Sequence, residues 1–239
     1  MSTAAKHPSP SPNVPHVVEL TLESFRIVRE AASAAAEAIA NGSAKVVGML
    51  REYEAQLDTL DHDVDDLVTA TVTRVDEAQA REMLACMKFV VAIERIGDLL
   101  LGFGNRVETA GARLEPQDTK DLTVMASRLE QMLADVEASY RDRNLERAVA
   151  VLRSDAELDR LRNLVVLRHL EPQNSTRQES FHVLFMAQEL ERAGDHAKNI
   201  AEEVCHLVSG RPVRHVLRSY DRPFEQMFLD HLRSQKPGE

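Results

Sequence analysis

The sequence predicts an all-α protein: two tandem three-helix bundles of long antiparallel helices, related by internal duplication. Three observations lead there. Apolar residues recur at spacings of three and four along most of the chain, while strand-like alternation is nearly absent. Alanine, leucine, glutamate and arginine are abundant, and 239 residues contain only 9 Gly and no Trp. Finally, the pentapeptide ERIGD, Glu94 to Asp98, returns as ERAGD, Glu191 to Asp195, and its surroundings return with it.

The elements follow in order. The first fifteen residues, MSTAAKHPSPSPNVP, lack the apolar run of a signal peptide and are expected to form a disordered Pro/Ser-rich tail. Helix 1 is predicted from about His16 to Ala40, ended by Asn41-Gly42, and helix 2 from about Ser43 to Arg74. Helix 3 starts at Asp76, where Asp76 and Gln79 have capping-box spacing, and continues to about Glu108. Helix 4 follows Pro116 and reaches Tyr140 on a stripe of Leu122, Met125, Leu129, Met132 and Val136. Helix 5 covers about Asn144 to His169. Helix 6 opens at Ser175, with Gln178 completing a second capping-box pattern, and runs to about Val208. The domain division is therefore a tail over 1–15, a first repeat over 16–110, a second over 116–209, and a C-terminal tail over 210–239. That last tail holds Pro212, Pro223 and Pro237 and the pattern of one short helix around Glu225 to Leu232.

The duplication extends well beyond the pentapeptide. Met87, Ile93, Ile96, Leu100, Phe103 and Val107 align with Leu184, Leu190, Ala193, Ala197, Ile200 and Val204, every pair at the offset of the two pentapeptides. Helix 2 carries EAQLDTL, Glu54 to Leu60, and helix 5 carries DAELDRL, Asp155 to Leu161. A repeated three-helix unit explains both matches. Residues of an antiparallel pair stand level when their numbers average to the turn. Glu54 with Asp98, and Asp58 with Glu94, centre on the predicted start of helix 3. Asp155 with Asp195, and Asp159 with Glu191, centre on the predicted start of helix 6. The same four-carboxylate arrangement is thus expected twice.

Within each helix these acids stand four apart, on one face and roughly 6 Å from each other. Four such charges in one patch are unfavourable unless a cation joins them or water solvates them. Carboxylate oxygens suit hard cations or iron, whereas Arg95 and Arg192 offer neutralisation by surface ion pairs. Gly97 and Gly194, each costing about 1 kcal/mol inside a helix relative to alanine, fit a close helix approach or room for an ion.

Other functions are disfavoured. A net charge of −10 is the wrong sign for a general nucleic-acid binder. Cys86 and Cys205 lie in helical patterns without CxxC spacing, as small buried thiols of a reducing compartment do. The longest apolar runs, such as FVVAI at Phe89 to Ile93, are too short to span a bilayer, so a cytoplasmic location is expected. Glu179-x-x-His182 and Glu203-x-x-His206 have di-iron spacing but are roughly 36 Å apart along one helix. No phosphate-binding loop, nucleophile elbow or catalytic triad is visible, and no enzymatic activity is expected.

The order of these motifs resembles the PhoU family of accessory regulators of bacterial phosphate-specific transport. The resemblance spans the chain from the first tail to about Val208, and its best segment is ERAGDHAKNIAEEV, Glu191 to Val204. It implies two three-helix bundles side by side, a homodimer, and a cytoplasmic protein that reaches the membrane only through partners. Those partners would be the ATPase subunit of the phosphate ABC transporter and a phosphate-sensing histidine kinase. The implied role is negative regulation of the phosphate-starvation response and of phosphate uptake. Some family members carry iron or zinc clusters on the duplicated acidic motifs, others none. Carried over, the metal candidates are Glu54, Asp58, Glu94 and Asp98, with Asp155, Asp159, Glu191 and Asp195; Mg or Mn would suit the same oxygens. Two departures stand out. Ala55 and Ala156 replace a basic residue usual in the family, and LLLGFGN after Asp98 replaces the polar continuation HAKNIAE after Asp195, which points to the first site as the degenerate one. A carboxylate-rich metalloprotein and a scaffold for another transporter are the alternative functions.

Overall fold

The computed structural model describes residues 13–41, 44–170 and 177–210. They form six long helices: α1 Asn13–Asn41, α2 Ala44–Thr71, α3 Glu77–Ala110, α4 Pro116–Arg141, α5 Leu145–Leu170 and α6 Arg177–Ser209. Short 3-10 turns, Val72–Arg74 and Gly111–Arg113, follow α2 and α3, and no strand occurs among the described residues. Helices α1 to α3 pack mutually as one bundle and α4 to α6 as a second. The two join through α3 against α6 and α1 against α4, as an internal twofold repeat requires.

Local chemistry sets the boundaries. The predicted capping box at Asp76 is formed: its carboxylate accepts from the Gln79 amide at 2.9 Å, while the Gln79 side chain accepts from the Asp76 amide at 3.3 Å. Pro116 is the first residue of α4, where a missing N–H costs nothing. Asn144 caps α5 by accepting from the Arg147 amide at 3.1 Å. The expected N-terminal tail is too long at its inner end, because Asn13 to Pro15 already belong to α1. Proline is tolerated there because first-turn amides have no acceptor inside the helix. The rest of that tail, Gly42, the capping pattern at Ser175 and the short helix expected around Glu225 to Leu232 lie outside the described residues.

The core runs through both bundles. Phe25, Phe89 and Tyr140, from α1, α3 and α4, cluster with ring centroids 5.0 to 6.2 Å apart. Burying rings of this size stabilises each by about 2–3 kcal/mol, and here it also ties the first bundle to the second. The Tyr140 hydroxyl donates to Glu82 at 2.6 Å, which leaves its oxygen to accept from the Cys86 thiol at 3.1 Å. Both cysteines are free and buried, as expected. Ion pairs reinforce the joint between bundles: Arg29 to Glu137 at 2.6 Å, Lys88 to Glu203 at 2.8 Å and Arg106 to Glu189 at 3.0 Å.

The repeated glycines are explained by packing. A Cβ at Gly97 would stand 2.7 Å from Leu57 Cδ1, and one at Gly194 would collide with Leu158 Cδ2. Leu57 and Leu158 are the matched leucines of EAQLDTL and DAELDRL, both buried. The duplicated unit therefore repeats a leucine knob entering a glycine gap. The level pairs Leu57–Gly97 and Leu158–Gly194 average to 77 and 176, within one residue of the predicted hairpin centres.

Two acidic patches as the candidate functional site

The patch on the second hairpin is built around buried acids that the protein itself neutralises. Asp155 on α5 is buried, and Lys198 Nζ, one turn beyond the ERAGD motif on α6, donates to its Oδ2. Lys198 also stands 4.0 Å from Asp195, which is exposed. Burial alone would make the Lys198 ammonium more acidic, but the carboxylates of Asp155, Asp195 and Asp159 outweigh that and hold its pKa above the usual value. Glu191 is also buried. It accepts from Arg162 of α5 at 3.3 Å and from the Gln188 amide group at 2.5 Å. Asp159 is half-buried and engaged.

The first hairpin differs at each of these positions except Asp98, which is exposed like Asp195. Asp58 and Asp98 are exposed, while Glu54 and Glu94 are half-buried. Arg95 approaches Glu94 at 3.5 Å and Asp98 at 3.8 Å, too far for strong bonds, and Asp58 faces only His62 at 3.7 Å. Burial, and next the Asp98 carboxylate, push the Glu94 carboxyl upward despite Arg95. Asp61 joins the patch from α2. Its carboxyl is pushed up by burial and by Asp65 and Asp58, against His62, and its Oδ1 is a buried oxygen without a hydrogen-bond partner. Like charges accumulate here with the exposed Arg95 as their counter-charge.

These environments test the fit of a cation. In the second patch a lysine ammonium and an arginine guanidinium already stand against the two buried carboxylates, so a metal ion there would have to displace them. In the first patch the donor chemistry suits a hard cation: several carboxylates and one orphaned buried oxygen. As placed, no three His, Cys, Asp or Glu side chains among the described residues converge as a ligand set.

Sequence reasoning found the eight carboxylates and Arg95 beside two of them, but missed Lys198, Arg162 and Asp61. Lys198 falls four residues before Glu202 and three after Asp195, and only the hairpin register could have pointed it at Asp155. Asp61 follows the motif acid Asp58 by three residues, on the same helix face. A further buried network was not anticipated. Asp118, at the start of α4, accepts from His169 Nε2 at 3.0 Å and from Arg168, while Arg168 also reaches Asp121 at 2.5 Å. Because the carboxylate only accepts, Nε2 carries the hydrogen, and Nδ1 faces Ser180 Oγ at 3.1 Å. Burial would raise the Asp118 carboxyl, but His169 and Arg168 together hold it below the ordinary range.

Comparison with known proteins agrees with the architecture. The PhoU domain family matches residues 21–106 and again 122–204, one match per bundle. A phosphate-specific transport system accessory protein PhoU homolog of Pseudomonas aeruginosa is 25% identical over 198 residues, covering 80% of this chain and 81% of that protein. The protein of the same name from Xylella fastidiosa strain 9a5c is 33% identical over 135 residues, 54% of this chain and 56% of the relative. Among solved structures, PhoU from P. aeruginosa superposes with a TM-score of 0.77 at 22% identity, covering 83% of this chain and 98% of that one. The phosphate transport system regulatory protein PhoU from Streptococcus pneumoniae gives 0.72 at 18% identity, over 84% and 97% of the two chains. With both bundles matched in order, this chain belongs to the PhoU family.

Proposed function

We propose that this chain is a non-enzymatic negative regulator of phosphate uptake and of the phosphate-starvation response. It acts in the cytoplasm as an adaptor between the ATPase subunit of a phosphate ABC transporter and a sensor histidine kinase. The observation that carries this reading is the match of both bundles to proteins named as accessory to phosphate-specific transport. No described helix is long and apolar enough to cross a membrane, which accords with action through membrane-bound partners. Such an adaptor works by binding one conformation of its partners better than another. Deleting the gene should raise expression of phosphate-starvation genes in high phosphate, and unchanged expression would refute the role. A pull-down from cells grown in high phosphate should recover the ATPase subunit and the kinase. Recovery of a different transporter would favour the scaffold alternative. Light scattering during size exclusion tests the homodimer.

A second reading is supported by the first patch. Its acids, met only loosely by the exposed Arg95, together with the orphaned Asp61 oxygen favour a hard divalent cation such as Mg or Mn, or an iron or zinc centre, held by Asp58, Asp61, Glu94 and Asp98 with Glu54 nearby. Elemental analysis of protein purified without chelator should find metal that is lost in Asp61→Asn and Glu94→Gln. Metal retained in both, but lost in Glu191→Gln, would move the site to the second patch with Asp155, Asp159 and Asp195.

A further inference from the structure

We propose that the outer face of the α3–α6 pair, at the end where α6 begins, docks an acidic amphipathic helix of a partner protein. Phe181 and Phe185 of α6 are 58% and 39% exposed there, with ring centroids 4.5 Å apart. The Arg106 guanidinium of α3 lies 4.6 Å from the Phe185 ring centre and donates from Nε to Glu189 at 3.0 Å. Helical spacing puts Phe181, Phe185, Gln188 and Arg192 in one stripe of α6, beside Gly102, Arg106 and Thr109 of α3. Aromatic and arginine side chains are the groups enriched where proteins meet.

The charges on this stripe are unbalanced. Glu189 is answered by Arg106, whereas Arg192 is exposed and makes no ion pair among the described residues. Arg113, exposed in the 3-10 turn after α3, folds its guanidinium onto the Thr109 carbonyl at 3.0 Å and likewise meets no acid among the described residues. The register of Arg106 against Phe185 makes Thr109 level with His182, about 15 Å along α6 from Arg192. Two unopposed guanidinium groups therefore flank two exposed phenyl rings, on a chain whose net charge is −10. The sign reverses beyond Arg192, where Asp195 and, from α3, Asp98 are exposed carboxylates. An acidic helix is attracted at the phenyl end and repelled past Arg192, which fixes where it stops.

Internal duplication shows that the fold does not require these groups. At the opposite end of the pair, Leu84, Lys88 and Glu203 occupy the positions equivalent to Phe181, Phe185 and Arg106. There Lys88 and Glu203 close on each other at 2.8 Å, and α3 packs on α6 without a phenyl ring on the surface. The exposed Phe181–Phe185 pair is thus chemistry presented to another molecule, since contiguous apolar groups framed by polar ones mark such sites. The helix that fits carries apolar anchors on one face and carboxylates about three turns apart, matching the roughly 15 Å between the two guanidinium levels. The docking chemistry is the same whichever transporter or kinase the chain serves, so it stands or falls separately from the regulatory role.

Because the chain has no Trp, a tryptophan in the ligand reports binding to the full-length protein. The probe is a synthetic helical peptide with glutamates about eleven residues apart and tryptophan and leucine anchors between them on the same face. Its emission should shift to the blue when the protein is added, with an affinity that falls as salt is raised. Phe181→Ser and Arg192→Glu, both at exposed positions, should each weaken binding about tenfold or more while circular dichroism stays unchanged. Val91→Ser, exposed at the opposite end, should leave binding as it is. The same peptide with lysine for glutamate should not bind. No shift at millimolar protein, binding that ignores both Phe181→Ser and Arg192→Glu, or equal binding of the lysine peptide would overturn the proposal. Vesicles of phosphatidylcholine and phosphatidylglycerol in equal parts test a membrane instead. The chain should stay in solution, and co-sedimentation that is lost in Phe181→Ser would overturn the proposal in favour of a lipid surface.

Discussion

Replacing Gly194 by alanine separates two opposed effects at the centre of the repeat. On helix propensity alone, alanine should stabilise α6 by about 1 kcal/mol. Packing says otherwise, because the new Cβ meets the end of Leu158, and the Met132 Cε lies 3.8 Å from the same Cβ position. Leu158 is 1% exposed, so it has no solvent-facing rotamer into which to retreat. Overpacking of this kind costs about 1–3 kcal/mol, and subtracting the propensity gain leaves a net loss of up to about 2 kcal/mol. For a chain of this size that lowers Tm by about 4–8 °C. Leu158→Ala alone should cost about 2–5 kcal/mol through the cavity it leaves. In the double variant the alanine methyl partly occupies that cavity, so the two losses should fall short of additivity by about 1 kcal/mol or more. Urea unfolding followed by circular dichroism measures all three variants. Additive losses, or a Gly194→Ala protein more stable than wild type, would refute the knob-and-gap account of the repeated motif.

Three further outcomes follow from the charged groups. Lys198→Met leaves Asp155 buried without its cation and should cost about 3 kcal/mol in urea unfolding, most of which Asp155→Asn in the same chain should restore. Asp118 has a folded pKa below its unfolded value of about 3.9, so its contribution is present above that pH and is lost as pH falls through the folded value. Asp118→Asn should therefore flatten the acid limb of the stability profile, and an unchanged profile would remove the His169 and Arg168 pairing as its cause. Glu94 has the opposite sign: its raised pKa means that its charge opposes folding at neutral pH and ceases to do so below about pH 4. Glu94→Gln should raise Tm at pH 7, and the gain should vanish both in acid and in millimolar divalent cation if the first patch binds one.

Much of this architecture is legible in the sequence because helices declare themselves by period and capping. The Asp76 box fixes where α3 begins, and the hairpin register follows from it to within one residue. The eight carboxylates were legible for the same reason, since a helix projects residues four apart onto one face. Their environments were not. Whether a carboxylate is buried, and what cation meets it, depends on the third helix of each bundle and on long side chains whose tips travel several ångströms from their Cα. Lys198 reaching Asp155, and Arg168 bridging Asp118 and Asp121, are contacts of this kind. The meaning of Gly97 and Gly194 also required structure, because spacing alone could not distinguish room for an ion from room for a leucine.

The two repeats have kept their packing and exchanged their electrostatics. Leu57 on Gly97 and Leu158 on Gly194 give both hairpins the same helix approach. Around that common centre the second repeat has Lys198 and Arg162 as internal counter-ions where the first has Leu101 and Asp61, leaving the exposed Arg95 beside Glu94 and Asp98. A buried carboxylate with a lysine of its own has little free energy to gain from an external cation, because the ion must first displace a charge already in place. A carboxylate whose neighbours are other carboxylates gains from any cation that arrives, and the gain is largest where an oxygen is buried and unpartnered. The difference in sequence that followed Asp98, an apolar LLLGFGN in place of HAKNIAE, removed the lysine position along with the rest of that polar face. The first patch therefore has Leu101 where the second has Lys198, so an external cation there would meet no competing lysine.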